Sequence, residues 1–344
     1  MRRILHALAL ALLAASFAIA QQVADTEFRF ANPSPAYAAG AGPQVCIDEA
    51  HHNFHTAAGR YLPFAELLRG DGYQVRSFSA AFTGEALREC KVLVIANAVG
   101  AENEASPSYP HPSAFTKEEI NAVFAWIRAG GALLLIADHT PFSGAAAALA
   151  NVLGVQMFDG YAGSSAEAPT SGIIFGNLDE DLIRKSAEAM GAPYDQLRKL
   201  MGEPGALRNH PILRGRNERE RITSAATFTG HVFYPSTRVE PLLILGPRGA
   251  GVVPIGVNVG RDAKPEEYPV FSLAGWLQGG TLRLGSGRVV FLGEAAMCTA
   301  QRAGPQRMPM GMNVPFALQN AQFCLNIVRW LSGVLDPPPK PTSN

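Results

Sequence analysis

The sequence lacks an excess of charge of either sign, and this absence excludes two classes of partner. Its 344 residues include 29 basic and 29 acidic side chains, so the formal net charge at pH 7 is zero. Nucleic acid and anionic membrane surfaces are bound largely through clustered positive charge. We therefore predict no nucleic-acid partner, and no membrane association after removal of any signal peptide. A small-molecule substrate is the expected partner, and a protein partner is left open.

Cysteine is also scarce, with only Cys46, Cys90, Cys298 and Cys324 in the sequence. No two of them form a C-x-x-C pair, which disfavours a redox motif and a cysteine zinc knuckle. Cys46 and Cys90 both lie near the starts of predicted strands and could therefore be neighbours. Four small buried hydrophobic side chains fit the pattern at least as well, so the disulfide pairing is left open.

The apolar run at the amino terminus is shorter than the roughly 20 residues that a transmembrane helix needs. This run, from Leu5 to Phe17, follows two arginines and precedes Ala18-Ile19-Ala20, which has the A-x-A form of a cleavage site. Such a combination is typical of a secretory signal peptide. We predict that residues 1–20 are removed after Ala20 and that the mature protein is periplasmic or secreted.

What the sequence does contain is a series of short apolar runs that alternate with amphipathic helical patterns. The runs at 44–49, 91–97, 132–137 and 288–292 are mostly apolar, as in strands that are buried on both faces of a sheet. Their alternation with helices indicates βαβ units and a parallel sheet. We predict an extended lead-in at 21–43, a single α/β domain at 44–335 with an irregular middle insertion, and a Pro-rich tail at 336–344.

Several motifs in this domain resemble one known superfamily. They are the strand ending in Asp48-Glu49, the strand ending in Ala137-Asp138-His139, the turn His210-Pro211-Ile212, the segment Gly285–Val290 and the last helix ending in Trp330-Leu331. Together they resemble the class I glutamine amidotransferase-like superfamily, and within it the exported ThuA-like or DUF4350-type domains of unknown function. The resemblance covers about 44–335. It implies a flavodoxin-like, doubly wound, mostly parallel sheet with helices on both faces and a site at its carboxyl edge.

The sequence departs from that superfamily at one point. Glutamine amidotransferases of this class carry a nucleophilic cysteine on a sharp turn after a central strand, and the corresponding turn here is Asp138-His139-Thr140-Pro141. None of the four cysteines follows that strand. The resemblance therefore does not carry over cysteine-dependent glutaminase chemistry.

Acids and histidines are concentrated just after two predicted strands, and we expect these two strand ends to face one pocket. In open α/β sheets, ligands bind beyond the carboxyl ends of the strands. The predicted catalytic residues are Asp48, Glu49, His51, His52, Asp138, His139 and Glu294, and the predicted substrate-binding residues are Asn53, Asn97, Thr140 and Ser143. In the acid–base interpretation, one aspartate orients a histidine that moves protons on the substrate, with Glu294 as a second carboxylate.

A metal-assisted interpretation uses an overlapping set of side chains. Imidazole and carboxylate groups are ligands of zinc and related divalent ions. The predicted ligands are His51, His55, His139 and Asp138. A bound ion with an open position would lower the pKa of its water to ~7 and supply hydroxide for attack.

Two functions are consistent with these patterns. The first is an exported hydrolase or lyase that acts on a small, carbohydrate-like substrate by acid–base or metal-assisted chemistry. The second is a non-catalytic periplasmic binding or accessory domain, which the missing cysteine nucleophile favours. A purely structural interpretation is also open, with Asp48 and Asp138 capping helices, the histidines bonding to loop carbonyls and Ser143 serving as a helix N-cap. A catalytic site predicts carboxylates within hydrogen-bond reach of imidazoles, whereas a binding module predicts an open, aromatic-lined surface.

Overall fold

A mixed α/β architecture is seen in the computed structural model, which describes residues 22–105, 108–253 and 268–337. The predicted signal peptide lies outside the described residues, as does the tail beyond residue 337. The sequence also contains a strand-like piece at 252–258, and from residue 254 onward it lies outside the described residues. No helix within the described ranges is long and apolar enough to cross a membrane.

The described residues form sixteen strands and eight α-helices. The strands are β1 Val23–Ala24, β2 Gln44–Asp48, β3 Gln74–Phe78, β4 Val92–Ala96, β5 Ala132–Ile136, β6 Tyr161–Gly163, β7 Ile174–Gly176, β8 Ala206–Leu207, β9 Ser224–Ala226, β10 Glu240–Ile244, β11 Ala250–Val252, β12 Val270–Ser272, β13 Leu277–Leu284, β14 Gly287–Leu292, β15 Ala300–Ala303 and β16 Met308–Gly311. The helices are α1 Leu62–Gly70, α2 Gly100–Ala105, α3 Lys117–Arg128, α4 Phe142–Val152, α5 Glu180–Ala189, α6 Tyr194–Met201, α7 Pro211–Arg214 and α8 Asn320–Ser332.

One eight-stranded sheet forms the centre of the molecule, in the order β3-β2-β4-β5-β14-β13-β10-β8. The first five strands of that order are parallel to one another, and each later strand is antiparallel to its neighbour. Gly285-Ser286 alone joins β13 to β14, and so short a connection can only reverse the chain. The sheet is therefore mixed, and the expected parallel arrangement is confined to five of its strands.

The parallel strands separate two hydrophobic cores. Ile47 and Leu134 pack into the core that contains residues of α1 and α8, whereas Cys46 and Leu133 pack into the core that contains residues of α3 and α4. Successive side chains of a strand point to opposite faces of the sheet, so these short strands have apolar residues at every position. Burial of one such side chain contributes roughly 1.5–3 kcal/mol to folding.

Two disulfide bonds join neighbouring segments, Cys46 to Cys90 and Cys298 to Cys324. Cys46 lies in β2 and Cys90 lies two residues before the start of β4, and these two strands are adjacent in the sheet. The expected proximity of Cys46 and Cys90 is therefore confirmed. The alternative of four unpaired buried cysteines is wrong, since all four form disulfides.

Helix boundaries follow the capping signals in part. The sequence Thr116-Lys117-Glu118-Glu119 has the pattern of a capping box and predicts that a helix begins there. Thr116 accepts a hydrogen bond from the backbone N–H of Glu119, and the Glu119 side chain accepts one in return, so the capping box at the start of α3 is confirmed. Helix α4 begins at Phe142 with Pro141 at its N-cap position. Ser143 thus lies inside the first turn, and its interpretation as the N-cap is wrong.

The middle and the carboxyl-terminal part of the chain differ most from the expectation. The segment 209–215 was expected to be a turn, but it contains helix α7, whose N-cap His210 accepts the N–H of Ile212. Strand β13 and the β15–β16 hairpin were not expected at all. Strand β13 contains adjacent glycines at 279–280, so its sequence lacks the apolar alternation of a strand.

The lead-in is anchored to the last helix through one buried carboxylate. Arg329 of α8 donates from Nε to Asp71 Oδ2 over 2.8 Å, and both side chains are fully buried. Asp71 Oδ1 also accepts hydrogen bonds from Asn32 Nδ2 and from the backbone N–H of Ala36. Because Asp71 directly follows α1, it joins the lead-in, α1 and α8 to one another.

Candidate functional site

The carboxyl ends of four neighbouring parallel strands carry a row of polar residues. Asp48 ends β2, Asn97 directly follows β4, and Asp138 and Glu294 lie two residues beyond β5 and β14. Because side chains alternate, Asp138 and Glu294 continue one face of the sheet, whereas Asp48 and Asn97 continue the other. The row is therefore divided into two groups, one on each face.

The first group, here called the His51 cluster, comprises Asp48, His51, Asn53 and Glu119. His51 Nδ1 lies 2.9 and 3.0 Å from the two carboxylate oxygens of Asp48, and its Nε2 lies 3.0 Å from Glu119 Oε1. Asn53 Nδ2 donates to Asp48 Oδ2. Asp48 is fully buried and His51 is 6% exposed, so the cluster lies within the protein.

The imidazole of the His51 cluster is stabilised in its charged form. Burial lowers the pKa of His51, but hydrogen bonds to Asp48 and Glu119 and the charges of both outweigh burial, so the net shift is upward. Burial also acts to raise the pKa of Glu119. Hydrogen bonds from Thr116, His51 and Phe82 outweigh that effect and lower its pKa to about 2. With both ring nitrogens engaged, His51 has no nitrogen left to accept a proton from a substrate.

The second group, here called the Glu294 cluster, comprises Glu294, Asp138, Tyr61, His231 and His55. Glu294 is fully buried, and its two carboxylate oxygens accept the backbone N–H groups of residues 296 and 297 at 2.8 Å. Burial, followed by the negative charge of Asp138, raises the pKa of Glu294 well above its usual value. Tyr61 donates from its hydroxyl to the carbonyl of residue 295. A buried carboxyl group with a raised pKa thus lies beside a second carboxyl group, that of Asp138.

Two buried histidines accompany these carboxyl groups. His231 Nδ1 lies 2.9 Å from the carbonyl oxygen of Ala137, and burial lowers the pKa of His231 to about 4. The ring of His55 packs 4.6 Å from the Tyr61 ring, and burial lowers the pKa of His55 to about 3. Within the described residues, neither nitrogen of His55 has a hydrogen-bond partner. Both histidines are therefore neutral near pH 7.

Several partly exposed aromatic rings lie next to members of the Glu294 cluster, with Phe54 in ring contact with His55. His139 stacks on Tyr161 with ring centroids 4.2 Å apart, and Phe142 lies near both His139 and Phe54. The guanidinium of Arg60 lies 3.7 Å from the centroid of the Phe54 ring. These residues form a rim of flat apolar surface with one positive charge beside the buried carboxyl groups.

The structure thus brings some of the predicted site residues together and separates others. Asp138 and Glu294 are neighbours, as are Asp48, His51 and Asn53. The expected single pocket formed by both strand ends is not seen, since Asp48 and Asp138 lie on opposite faces of the sheet. Asn97 links the two sides, because its Oδ1 accepts the backbone N–H of Asp138 over 2.8 Å.

The other predicted residues lie outside these clusters. Glu49 Oε1 accepts hydrogen bonds from the backbone N–H of residue 57 and from the hydroxyl of residue 77. His52 is exposed and pairs with Glu104 over 2.6 Å. Ser143 is buried and donates to Asp159, and Thr140 bonds to His111.

The predicted metal ligands do not converge on one point. Within the described parts of the chain, no group of three or more His, Cys, Asp or Glu side chains is placed to hold a metal ion. His51 uses both nitrogens for carboxylates, and His139 Nδ1 lies 2.7 Å from the carbonyl oxygen of Thr140. A divalent metal therefore stays a prediction from the sequence, and no chemical step is derived through one.

Two surface hollows lie apart from both clusters. One of about 310 Å³ is lined by residues 24–27 with Arg302 and Arg307. The other, of about 480 Å³, is lined by residues 30–34, residues 217–220 and Gln322. Neither is lined by a residue of the two clusters, and both have the mixed charge of ordinary solvated surface.

Sequence reasoning missed Glu119, His231 and His111. Glu119 was recognised only as part of a capping box, since its contact with His51 spans 68 positions of sequence. His231 lies in an irregular stretch without any motif, and His111 lies in a Pro-rich loop. For all three, the informative feature is a tertiary contact that has no local sequence signal.

Comparison with known proteins supports the α/β fold but shows neither a family nor a function. No protein-family model matches the sequence, and no curated protein matches it. The mmIFT52 N-terminal domain has a similar structure, with a TM-score of 0.52 at 12% sequence identity, over 84% of this chain and 97% of that one. At such low identity the likeness shows a shared α/β fold.

Two further solved structures show a weaker similarity. A ThuA-like protein from Bacteroides uniformis ATCC 8492 gives a TM-score of 0.42 at 14% identity, over 89% of this chain and 94% of that one. The cytoplasmic protein STM1381 from Salmonella typhimurium LT2 gives 0.45 at 12% identity, over 84% and 99%. ThuA-like proteins are thus among the structural neighbours, and these two comparisons carry no argument about chemistry.

Proposed function

We propose that the protein is a hydrolase or lyase that acts on a small substrate by acid–base chemistry at the Glu294 cluster. One observation carries this proposal: Glu294, a fully buried carboxyl at the carboxyl edge of the sheet, has its pKa raised well above the usual value by burial and by the neighbouring Asp138. Pairs of titratable groups whose pKa values are pushed apart are what acid–base catalysis needs near neutral pH. Structural ion networks also shift pKa values, so the experiment below tests catalysis directly.

The two carboxyl groups have different roles in this proposal. Asp138 is 7% exposed and accepts the backbone N–H of His139, so it is the group that a substrate reaches. Glu294 lies deeper and acts as a positioning and proton-holding residue through Asp138.

The rim favours a flat, partly polar substrate such as a sugar ring. Phe54, Phe142 and Tyr161 offer ring faces that are partly exposed, and aromatic rings stack well on the apolar faces of such molecules. Arg60 adds one positive charge at the same rim. We therefore propose a small carbohydrate-like substrate, with the ThuA-like resemblance as the family context.

Export is the proposed location of this activity. The amino-terminal pattern of a signal peptide and the two disulfide bonds both fit an oxidising compartment outside the cytoplasm. Expression of the full chain in a bacterial host, followed by fractionation and amino-terminal sequencing, tests the proposal. A periplasmic product that begins at Gln21 is expected, and a cytoplasmic product that retains residue 1 would contradict it.

Turnover of chromogenic substrates tests the proposed chemistry. Wild type is screened against 4-nitrophenyl glycosides and 4-nitrophenyl acetate, and Asp138→Asn and Glu294→Gln are compared on any substrate that is cleaved. Each variant is expected to lose at least ~100-fold in kcat, as general acid–base groups contribute ~10²–10⁴-fold. Glu89→Gln, which alters an exposed carboxylate paired with Arg76, is the matched control. Folded Asp138 and Glu294 variants that keep wild-type kcat would contradict the proposal.

A non-catalytic binding role is the second candidate, and one surface favours it. Tyr234 and Phe271 are exposed, and Phe158 and Trp276 lie in ring contact with them. Exposed aromatic surface of this kind is typical of sugar-binding modules. Tryptophan fluorescence during titration with soluble oligosaccharides tests this role, with Tyr234→Ala as the variant expected to lose the response. Equal responses from wild type and variant would contradict it.

A further inference from the structure

A hydroxyl and an imidazole meet at the turn that follows β5. Thr140 Oγ1 lies 2.7 Å from His111 Nε2, and His111 Nδ1 lies 2.7 Å from the carbonyl oxygen of Ser108. A carbonyl oxygen can only accept a hydrogen bond, so in the neutral ring the proton is on Nδ1. The lone pair is then on Nε2, and the hydroxyl of Thr140 donates to it.

His111 is held in this orientation by its surroundings. Asn103, which is buried, donates from Nδ2 to the carbonyl of Pro112 over 2.8 Å, and the N–H of Ala114 donates to the carbonyl of Ala145 in α4. His111 packs on Gly144, where an added Cβ would lie 2.9 Å from the Cβ of His111. The loop that carries His111 therefore positions its imidazole against the first turn of α4.

We propose that Thr140 is a nucleophile with His111 as its general base, and that the protein transfers the acyl group of a small ester to water. A hydroxyl nucleophile hydrogen-bonded to a base, with the base oriented by a third group, is the arrangement that this chemistry needs. The Ser108 carbonyl is the orienting group here. This inference goes beyond the proposed acid–base function and does not depend on Glu294.

The reaction has two balanced steps. In the first, Thr140 Oγ1 attacks the ester carbonyl carbon and gives its proton to His111 Nε2. The carbon–oxygen bond to the leaving group then breaks, and the imidazolium protonates the leaving alcohol. In the second, water gives a proton to Nε2 and attacks the acyl carbon, after which Oγ1 leaves and regains that proton. The net change is one ester and one water converted to one acid and one alcohol.

In a second threonine–histidine pair of the same chain the hydrogen bond runs in the opposite direction, from the imidazole to the hydroxyl, and this pair serves as a comparison. His210 Nδ1 accepts the backbone N–H of Ile212, so in the neutral ring the proton is on Nε2. That nitrogen faces Thr281 Oγ1 at 3.3 Å and therefore donates to it. Thr281 is 1% exposed and lacks a base that could accept its proton. Of these two threonines, Thr140 is therefore the one that should react with an electrophile.

Covalent labelling tests the proposal. Purified protein with intact disulfides is treated with an alkyl fluorophosphonate, and adducts are located by peptide mass spectrometry. Wild type and Thr140→Ser are expected to gain one adduct at position 140, whereas Thr140→Val is expected to gain none there. His111→Gln should slow labelling at least ~100-fold, since a general base contributes ~10²–10⁴-fold. Thr281→Val, the matched control, should label at the wild-type rate.

Three outcomes would overturn the proposal. They are the absence of an adduct at position 140 in folded wild type, an unchanged labelling rate in His111→Gln, and labelling of Thr140→Val as a whole at the wild-type rate. Thermal melting of each variant shows whether it is folded, and Thr140→Ser keeps the test valid if Thr140→Val is unstable. Labelling of Thr140 by this route does not involve Glu294. A failure here is therefore distinguishable from a failure of the acid–base proposal.

Discussion

Replacement of His51 by glutamine should destabilise the protein in a pH-dependent manner. The imidazolium lies between two carboxylates, Asp48 and Glu119, which are fully and largely buried. Removal of one member of a buried ion pair costs about 3–5 kcal/mol, because an uncompensated charge is left behind. Glu119 keeps its hydrogen bonds from Thr116 and Phe82, so a loss near the lower end, about 3 kcal/mol, is expected at pH 6.

The pH dependence follows from the direction of the pKa shift. The pKa of His51 is higher in the folded than in the unfolded protein, so its stabilising contribution is complete below the unfolded value of about 6.5. That contribution is lost as the pH rises through the folded value, at no more than about 1.4 kcal/mol per pH unit for one proton. The difference between wild type and His51→Gln should therefore shrink between pH 6 and pH 9.

Urea unfolding followed by tryptophan fluorescence, with the disulfides intact, measures this difference. His52→Gln is the control, because His52 is exposed and its ion pair with Glu104 should contribute less than about 1 kcal/mol. A His51→Gln effect below about 1 kcal/mol at pH 6 would refute the reasoning. So would an effect that grows with rising pH.

Three further predictions concern other parts of the structure. Cys46→Ser combined with Cys90→Ser should lower the unfolding free energy by about 4 kcal/mol, as loop-closure entropy over a separation of 44 residues implies, measured by urea unfolding. His55→Gln should reduce the loss of thermal stability between pH 6 and pH 4, because the folded pKa of about 3 makes protonation of this histidine favour the unfolded state. Gly144→Ala would place a Cβ 2.4 Å from Asp159 Oδ2 and 2.9 Å from the Cβ of His111, so both side chains should shift. Fluorophosphonate labelling should slow at least ~10-fold while α4 persists in circular dichroism, since a 1 Å misplacement of a reacting group is costly.

The parallel half of the sheet could be predicted from the sequence because its strands carry local signals. Runs such as 132–137 are apolar at every position, and the capping box at Thr116 marks the start of α3 to within a residue. Strand β13 has no such signal, because its pairing with β14 and β10 compensates for glycine within it. Its stability comes from neighbours that are distant in sequence, so local propensity gives no indication of it.

The site was predicted in its parts but not in its arrangement. The residues Asp48 and Asp138 were both identified as strand-end acids, yet a shift of one residue in a strand boundary reverses the face to which a side chain points. Asp48 is the last residue of β2, whereas Asp138 lies two beyond the end of β5. Sequence patterns do not locate the end of a strand to within one residue, so they do not show on which face of the sheet each cluster lies.

The buried pair of Asp71 and Arg329 has a consequence for the order in which the molecule can be assembled. One face of the central sheet is covered by α8, and the arginine that fastens the amino-terminal segment belongs to that same helix. Without α8, that face of the sheet loses the apolar side chains that cover it, and the buried Asp71 carboxylate loses the arginine that balances its charge. Docking of this single helix therefore completes a hydrophobic core and fastens the amino-terminal segment in the same step.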